Sequence, residues 1–371
     1  MPCSGRFLGP IGVLIAAGLV VMALLGAHAA AAAAESEAAA GAEQVPAFAP
    51  SRAELDEVRQ WLCRNPPDGQ NRAERRQRMT VIQAACDKLE PETYWDYADS
   101  CVEDPDAATA MEQRHPALYC LRRAVDDAVE DIRRTEVDEG LAVWFIYNMG
   151  HVFKTPDACF GIDINMPAAE RLAEDLDFLL ITHEHGDHYS PKLLDAMINA
   201  GKPVVTRWYP NTTVVNEPRE FRFGEVRVKV DIGDHHHERP DTRNDMLMFQ
   251  VDCGRAGNNC TVYHSGDGNN YEKMVPDRRP DLFIVHVQVG MSVEEAVNHL
   301  KPRMTLVAHV MELGHSPKPP NAWRWPYEYA FRVIQNTPPG EATVLTWGER
   351  WLLPDTTLRS FRHPPRDSTD P

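Results

Sequence analysis

Three imidazoles and two carboxylates fall within six residues at His183-Glu184-His185-Gly186-Asp187-His188. Packing so many polar groups together is costly unless they share a cation. Imidazole mixed with carboxylate suits zinc, iron or manganese, and the run lacks the thiolates of a structural zinc knot. A bare H-x-H reads most simply as a solvated polar loop, but the density of this run favours a metal site. More candidate donors follow apolar segments further on. Asp234-His235-His236-His237-Glu238 comes after Val226 to Ile232, Ser265-Gly266-Asp267 after Thr261 to His264, and His309 after Thr305 to Ala308. Each is weak alone, but all stand where α/β proteins gather their sites, at the C-terminal ends of strands.

The elements that must hold these residues are readable from the patterning. Phe178-Leu179-Leu180-Ile181 predicts a buried strand before the run, and Ser190-Pro191 a helix cap and first-turn proline after it. The dense motif therefore lies on a strand-to-helix loop. Other strands are expected at Leu141 to Tyr147, Cys159 to Ile164, Pro203 to Thr206, Met246 to Val251, Leu282 to Val287 and Thr343 to Trp347. Ser292-Val293-Glu294-Glu295 predicts another capped helix. Strands with interspersed helices over residues 141–353 indicate an α/β layered domain. Upstream, residues 51–136 read as helical: Ser51 opens a capping box with Glu54, a second helix runs from Arg72 to Leu89 and is stopped by Pro91, and a third starts near Pro116. Leu118, Leu121, Val125, Val129 and Ile132 form one apolar stripe on the third.

With these elements in order, the sequence resembles the metallo-β-lactamase superfamily, whose hallmark is H-x-H-x-D-H after a buried strand. Its later elements are similar to the zinc-dependent hydrolase branch that includes the ascorbate-6-phosphate lactonase type. The resemblance implies a four-layer αββα sandwich over residues 141–353 holding two ions, zinc first, with iron or manganese as alternatives. It implies that His183, His185 and His235 hold one ion, that Asp187, His188 and His309 hold the other, and that Asp267 bridges them. His235 is chosen over His236 and His237 by its distance from Val226, and Asp163 is the carboxylate expected to support the metal loop. His264 is read as structural, and His315, in a Gly/Pro-rich loop, as facing the substrate. The implied activity is hydrolysis of a lactone, ester or phosphodiester type bond in a small-molecule or lipid-like substrate, with Asp187 handling the proton. The alternatives are an iron-dependent redox member of the same fold and a non-catalytic member that binds a ligand or partner. Diiron reductases of the fold carry Glu where this chain has His185, and all the ligand positions are filled.

Composition bounds the rest. A net charge of -17 with no long Lys/Arg block disfavours nucleic acid as a partner. Residues 1–34 read as a signal peptide, with Arg6 before the apolar run Ile11 to Leu25 and Ala27-His28-Ala29 as a cleavage pattern, so an exported protein without a stable membrane span is expected. Residues 35–50 read as a linker and 354–371 as a polar tail. Export favours disulfides, so Cys63, Cys86, Cys101 and Cys120 are expected to tie the helical region, and Cys253 with Cys260 to close a hairpin. Trp208, Tyr209, Trp323, Trp325, Tyr327 and Tyr329 are candidate pocket walls, although such aromatic runs more often serve packing, and Arg207 and Arg324 are candidate anion binders or ordinary surface arginines.

Overall fold

In the computed structural model, residues 50–359 are described, apart from 236–238, 289 and 339. The expected signal peptide, His236, His237 and the tail from residue 360 onward lie outside the described residues.

Five helices come first: α1 (Arg52–Arg64), α2 (Arg72–Cys86), α3 (Pro91–Glu103), α4 (Pro105–Arg114) and α5 (Pro116–Arg134). Ser51 caps α1 with its hydroxyl on the Glu54 N–H, while the Glu54 carboxylate accepts from the Ser51 N–H, completing the capping box. Helices α3 and α4 were not anticipated. Pro91, read as a terminator, occupies a first-turn position, as does Pro105, and there the missing N–H costs nothing. The apolar stripe of α5 is buried against β2 (Ala142–Tyr147), and the Trp144 indole donates to Asp131 Oδ2 of α5 at 2.8 Å.

Two seven-stranded sheets form the body of the sandwich, and β1 (Val137–Glu139) pairs with β16 (Thr357–Leu358) in a separate two-stranded ladder. The first runs β15-β2-β3-β4-β5-β6-β7, with β3 at Gly150–Lys154, β4 at Cys159–Ile162, β5 at Phe178–Leu180, β6 at Val204–Thr206, β7 at Thr213–Val214 and β15 at Arg350–Leu352. The second runs β14-β13-β12-β11-β10-β9-β8. Its strands are β8 (Arg219–Phe223), β9 (Val226–Gly233), β10 (Met246–Asp252), β11 (Thr261–His264), β12 (Leu282–His286), β13 (Met304–Ala308) and β14 (Ala342–Val344). Strands β4 to β7 are mutually parallel, and so are β11 to β14. Helix α6 (Pro191–Asn199) follows the dense motif, α7 (Val293–Leu300) precedes β13, and α8 (Tyr327–Val333) precedes β14. With helices outside both sheets, this is the four-layer αββα sandwich.

Helices and sandwich share one core within a single compact unit. Arg75 of α2 makes a buried ion pair with Glu349 at 2.7 Å, beside β15. Arg324 corrects the expectation of an anion binder. It is 2% exposed and donates to the carbonyls of Cys86, Leu89, Glu312 and Leu313, tying the end of α2 to the loop after β13.

The disulfide expectation is also corrected: all seven cysteines of the described residues are free thiols. The helices are held by apolar packing around Leu55, Leu62, Met79, Ile82 and Leu121, in which Cys86 and Cys120 act as small apolar fillers. Burial pushes the Cys120 thiol up to about 12, so it stays protonated.

Candidate metal centre

Five polar residues stand at or just beyond the C-terminal ends of parallel strands: Asp163 after β4, His183 after β5, Asp267 after β11, His286 at the end of β12 and His309 after β13. Two parallel segments in facing sheets thus deliver their donors to one edge. The sheets meet closely there. A Cβ on Gly266, whose φ is +51°, would lie 2.8 Å from the Thr182 side chain, so only glycine lets the Asp267 loop approach the β5 loop.

Asp163 organises the dense loop from beneath. Its Oδ1 accepts the Thr182 N–H at 2.8 Å, and its Oδ2 accepts the Thr182 hydroxyl at 2.7 Å and the His188 Nδ1 proton at 2.9 Å. Asp163 has φ +51° and is fully buried, a conformation that acidic side chains tolerate better than most. Asn148, read from the sequence only as part of a turn, anchors the other side. Its Nδ2 donates to the Asp187 carbonyl at 2.9 Å and to Asp187 Oδ2 at 3.2 Å, while its carbonyl accepts the His309 N–H at 2.8 Å.

All seven predicted donors converge. His183, His185, His235 and Asp267 present ligand atoms within 4.8 Å of one another, and so do Asp187, His188 and His309. Asp267 lies between the sets: its Oδ2 is 3.5 Å from His235 Nε2, and its Oδ1 is 3.2 Å from His188 Nε2. His309 Nε2 is 3.1 Å from Asp187 Oδ2. His235 is placed by the loop after β9, where its N–H donates to Asp245 Oδ1 at 3.0 Å, and Asp234 binds Lys273, Asn270 and the Asn244 N–H. His264 is structural as expected, with Nε2 on the Met149 carbonyl at 3.1 Å. His286 was missed; it lies 4.0 Å from Asp267 Oδ1 and joins Asp267 and His309 in a third close group. Its signal was available, since it ends the apolar run Leu282 to Val285 as His309 ends Thr305 to Ala308.

The donor set fits metal ions. His183 Nε2, His188 Nε2 and Asp267 Oδ1 are buried without a hydrogen-bond partner. Orphaned polar atoms of this kind are expensive unless something binds them. Metal–ligand bonds of ~2.0–2.2 Å put the ligand atoms of one ion roughly 3–4 Å apart, which is the spacing seen. Electrostatics agree. Burial favours the uncharged forms, lowering His183 and His185, while at Asp187 and Asp267 burial is outweighed by His188 and its neighbours, which hold both carboxyls ionised. Neutral imidazole and ionised carboxylate are the forms that bind metal; at His188 burial is outweighed by Asp267, Asp187 and Asp163, which raise it above the ordinary histidine value, so there a bound cation would take the place of a proton.

The same segment carries the family match: residues 146–309 match the model of the beta-lactamase superfamily domain. The match spans less than half of the chain and makes this segment, which holds both donor sets, similar to a domain of that superfamily. Similar solved structures include a possible metal-dependent hydrolase from Veillonella parvula DSM 2008, 14% identical with a TM-score of 0.46, covering 58% of this chain and 100% of that one. The metallo-beta-lactamase fold protein YhfI from Bacillus subtilis is 17% identical with a TM-score of 0.42, covering 57% of this chain and 99% of its own. CmlA, a diiron beta-hydroxylase from Streptomyces venezuelae, is 14% identical with a TM-score of 0.43, covering 60% of this chain and 54% of its own. No curated protein sequence matches.

Proposed function

We propose that this protein is a zinc-dependent hydrolase with two ions, acting on a lactone, ester or phosphodiester type bond of a small-molecule or lipid-like substrate. The observation that carries this reading is the pair of adjoining donor sets with Asp267 between them. Two divalent ions held there would supply an ionised water near neutral pH and a Lewis acid for the developing oxyanion. The protein's own residues do the rest. Asp187, held by Asn148 and His309, is an ionised carboxylate beside the reacting position, able to orient the attacking water and take its proton.

His315 stands further out, its ring 6.3 Å from that of His309 and 5.7 Å from that of Trp323, which is 53% exposed. Its Nδ1 pairs at 2.9 Å with the buried Glu312, whose Oε1 accepts from the Tyr147 hydroxyl and the Gly314 N–H. In this reading the pair faces the leaving group, and Trp323 gives the substrate an apolar surface. The test is metal analysis combined with a screen of lactones, esters and phosphodiesters, using His183→Ala as control. About two zinc ions per chain and activity lost in the variant are expected. Stoichiometric iron, or activity unchanged in the variant, would overturn the reading.

A further inference from the structure

Three buried histidines of the centre have one ring nitrogen fixed by a partner outside the two donor sets, and that partner decides which nitrogen of the neutral ring is bare. His188 Nδ1 faces Asp163 Oδ2, an acceptor, so Nδ1 carries the proton of the neutral ring and Nε2 is the nitrogen left for a metal. His183 Nδ1 lies 3.0 Å from Thr182 Oγ1, whose own proton goes to Asp163, so the hydroxyl oxygen accepts and Nε2 is again bare. Both are wired as ligands.

His286 is wired the opposite way. Its Nδ1 accepts the backbone N–H of Gln288 at 2.7 Å, so the lone pair is on Nδ1 and the proton of the neutral ring is on Nε2. For Nε2 to bind a metal, Nδ1 would have to carry the proton and confront another N–H. Yet His286 is 4% exposed, with its ring 4.0 Å from that of His309 and its Nε2 4.0 Å from Asp267 Oδ1, the oxygen that also lies 3.2 Å from His188 Nε2.

We propose that His286 is a positioning residue and not a metal ligand: its Nε2–H is aimed at Asp267 Oδ1 and fixes the orientation of the carboxylate between the two donor sets. The proposal rests on the two-set reading of the centre, but its first test does not need the metal. In protein labelled with ¹⁵N-histidine, the His286 ring signal, identified by its loss in His286→Gln, is expected to show the Nε2–H tautomer both before and after zinc is added. A Nδ1–H tautomer in either state would overturn the proposal.

The second test is metal binding of the full chain. His286→Leu, which removes the donor, is expected to keep the wild-type zinc stoichiometry but to lose roughly 10- to 100-fold in zinc affinity. His286→Gln, which keeps a donor, should recover most of that affinity, and the cobalt(II) spectrum of either variant should keep the wild-type number of nitrogen donors. A lost ion or lost nitrogen donor, as in His309→Ala, would make His286 a ligand. Wild-type affinity in His286→Leu would show that it positions nothing. A wild type that binds no zinc defeats the two-ion reading and, with it, the positioning role, whereas the tautomer result separately reports how His286 is wired.

Discussion

Asp163 and His188 are joined by a 2.9 Å hydrogen bond from Nδ1 to Oδ2 across 25 residues of chain, with both side chains fully buried. The contact fixes the His188 tautomer and ring angle, and the other oxygen of the same carboxylate holds the Thr182 backbone at the start of the dense loop. Removing the carboxylate should therefore loosen a ligand without removing it. Asp163→Ala is expected to lower zinc affinity roughly 10- to 100-fold, as outer partners of ligating histidines typically do. Competition titration against a chelating dye measures it, and wild-type affinity would count against the assignment.

The Arg75–Glu349 pair binds the helical region to the sandwich, and both side chains are at most 1% exposed. Breaking it from one side leaves a buried charge unpaired. Arg75→Met should destabilise the protein by about 3–5 kcal/mol in denaturant unfolding, and adding Glu349→Leu should recover most of that loss. A double variant no more stable than the single would show that the pair acts through geometry peculiar to its site.

Acid sensitivity should trace in part to His151. It is buried in β3, its Nδ1 donates to the Met149 carbonyl at 2.8 Å, and burial with the nearby His264 pushes its pKa down to about 3. The unfolded value is about 6.5. With the folded pKa depressed, the stability this neutral ring contributes is whole above about pH 6.5 and is lost as pH falls toward 3, at up to about 1.4 kcal/mol per pH unit. Denaturant midpoints of the metal-free protein at pH 7 and pH 5 should differ more for wild type than for His151→Gln. Equal differences would remove His151 from the account.

His315 tests the substrate side. His315→Gln is expected to keep the metal content and melting temperature while lowering kcat/KM roughly 10²- to 10⁴-fold, as loss of a proton-transfer group does. An unchanged kcat/KM on a cleaved substrate would place His315 outside the reaction.

Legibility followed locality. The run from His183 to His188 could be read because one strand-to-helix loop carries its donors in succession, and His235, Asp267 and His309 because each follows an apolar strand. His286 obeyed the same rule, but its role depends on the Gln288 N–H, a backbone partner no side-chain pattern announces. Asn148 looked like turn chemistry, although its side-chain amide holds Asp187 and its backbone carbonyl accepts the N–H of the distant His309. Arg324 looked like a free cation because nothing local shows that four carbonyls surround it. Pro91 and Pro105 were ambiguous in principle, since proline both ends helices and starts them.

Metal removal should also register in stability, because the cluster presents buried orphaned atoms. Stripping the protein with a chelator is expected to lower its melting temperature, and zinc at about 100 times its Kd should restore about 2.7 kcal/mol. A melting curve indifferent to chelator and zinc would argue that the donors are satisfied without metal.

Whether the centre holds two ions can be read from anomalous diffraction at the zinc edge from crystals of the zinc-loaded protein. Two peaks are expected, one among His183, His185 and His235 and one among Asp187, His188 and His309, with Asp267 between them. A single peak, or none within these groups, would contradict the two-ion centre.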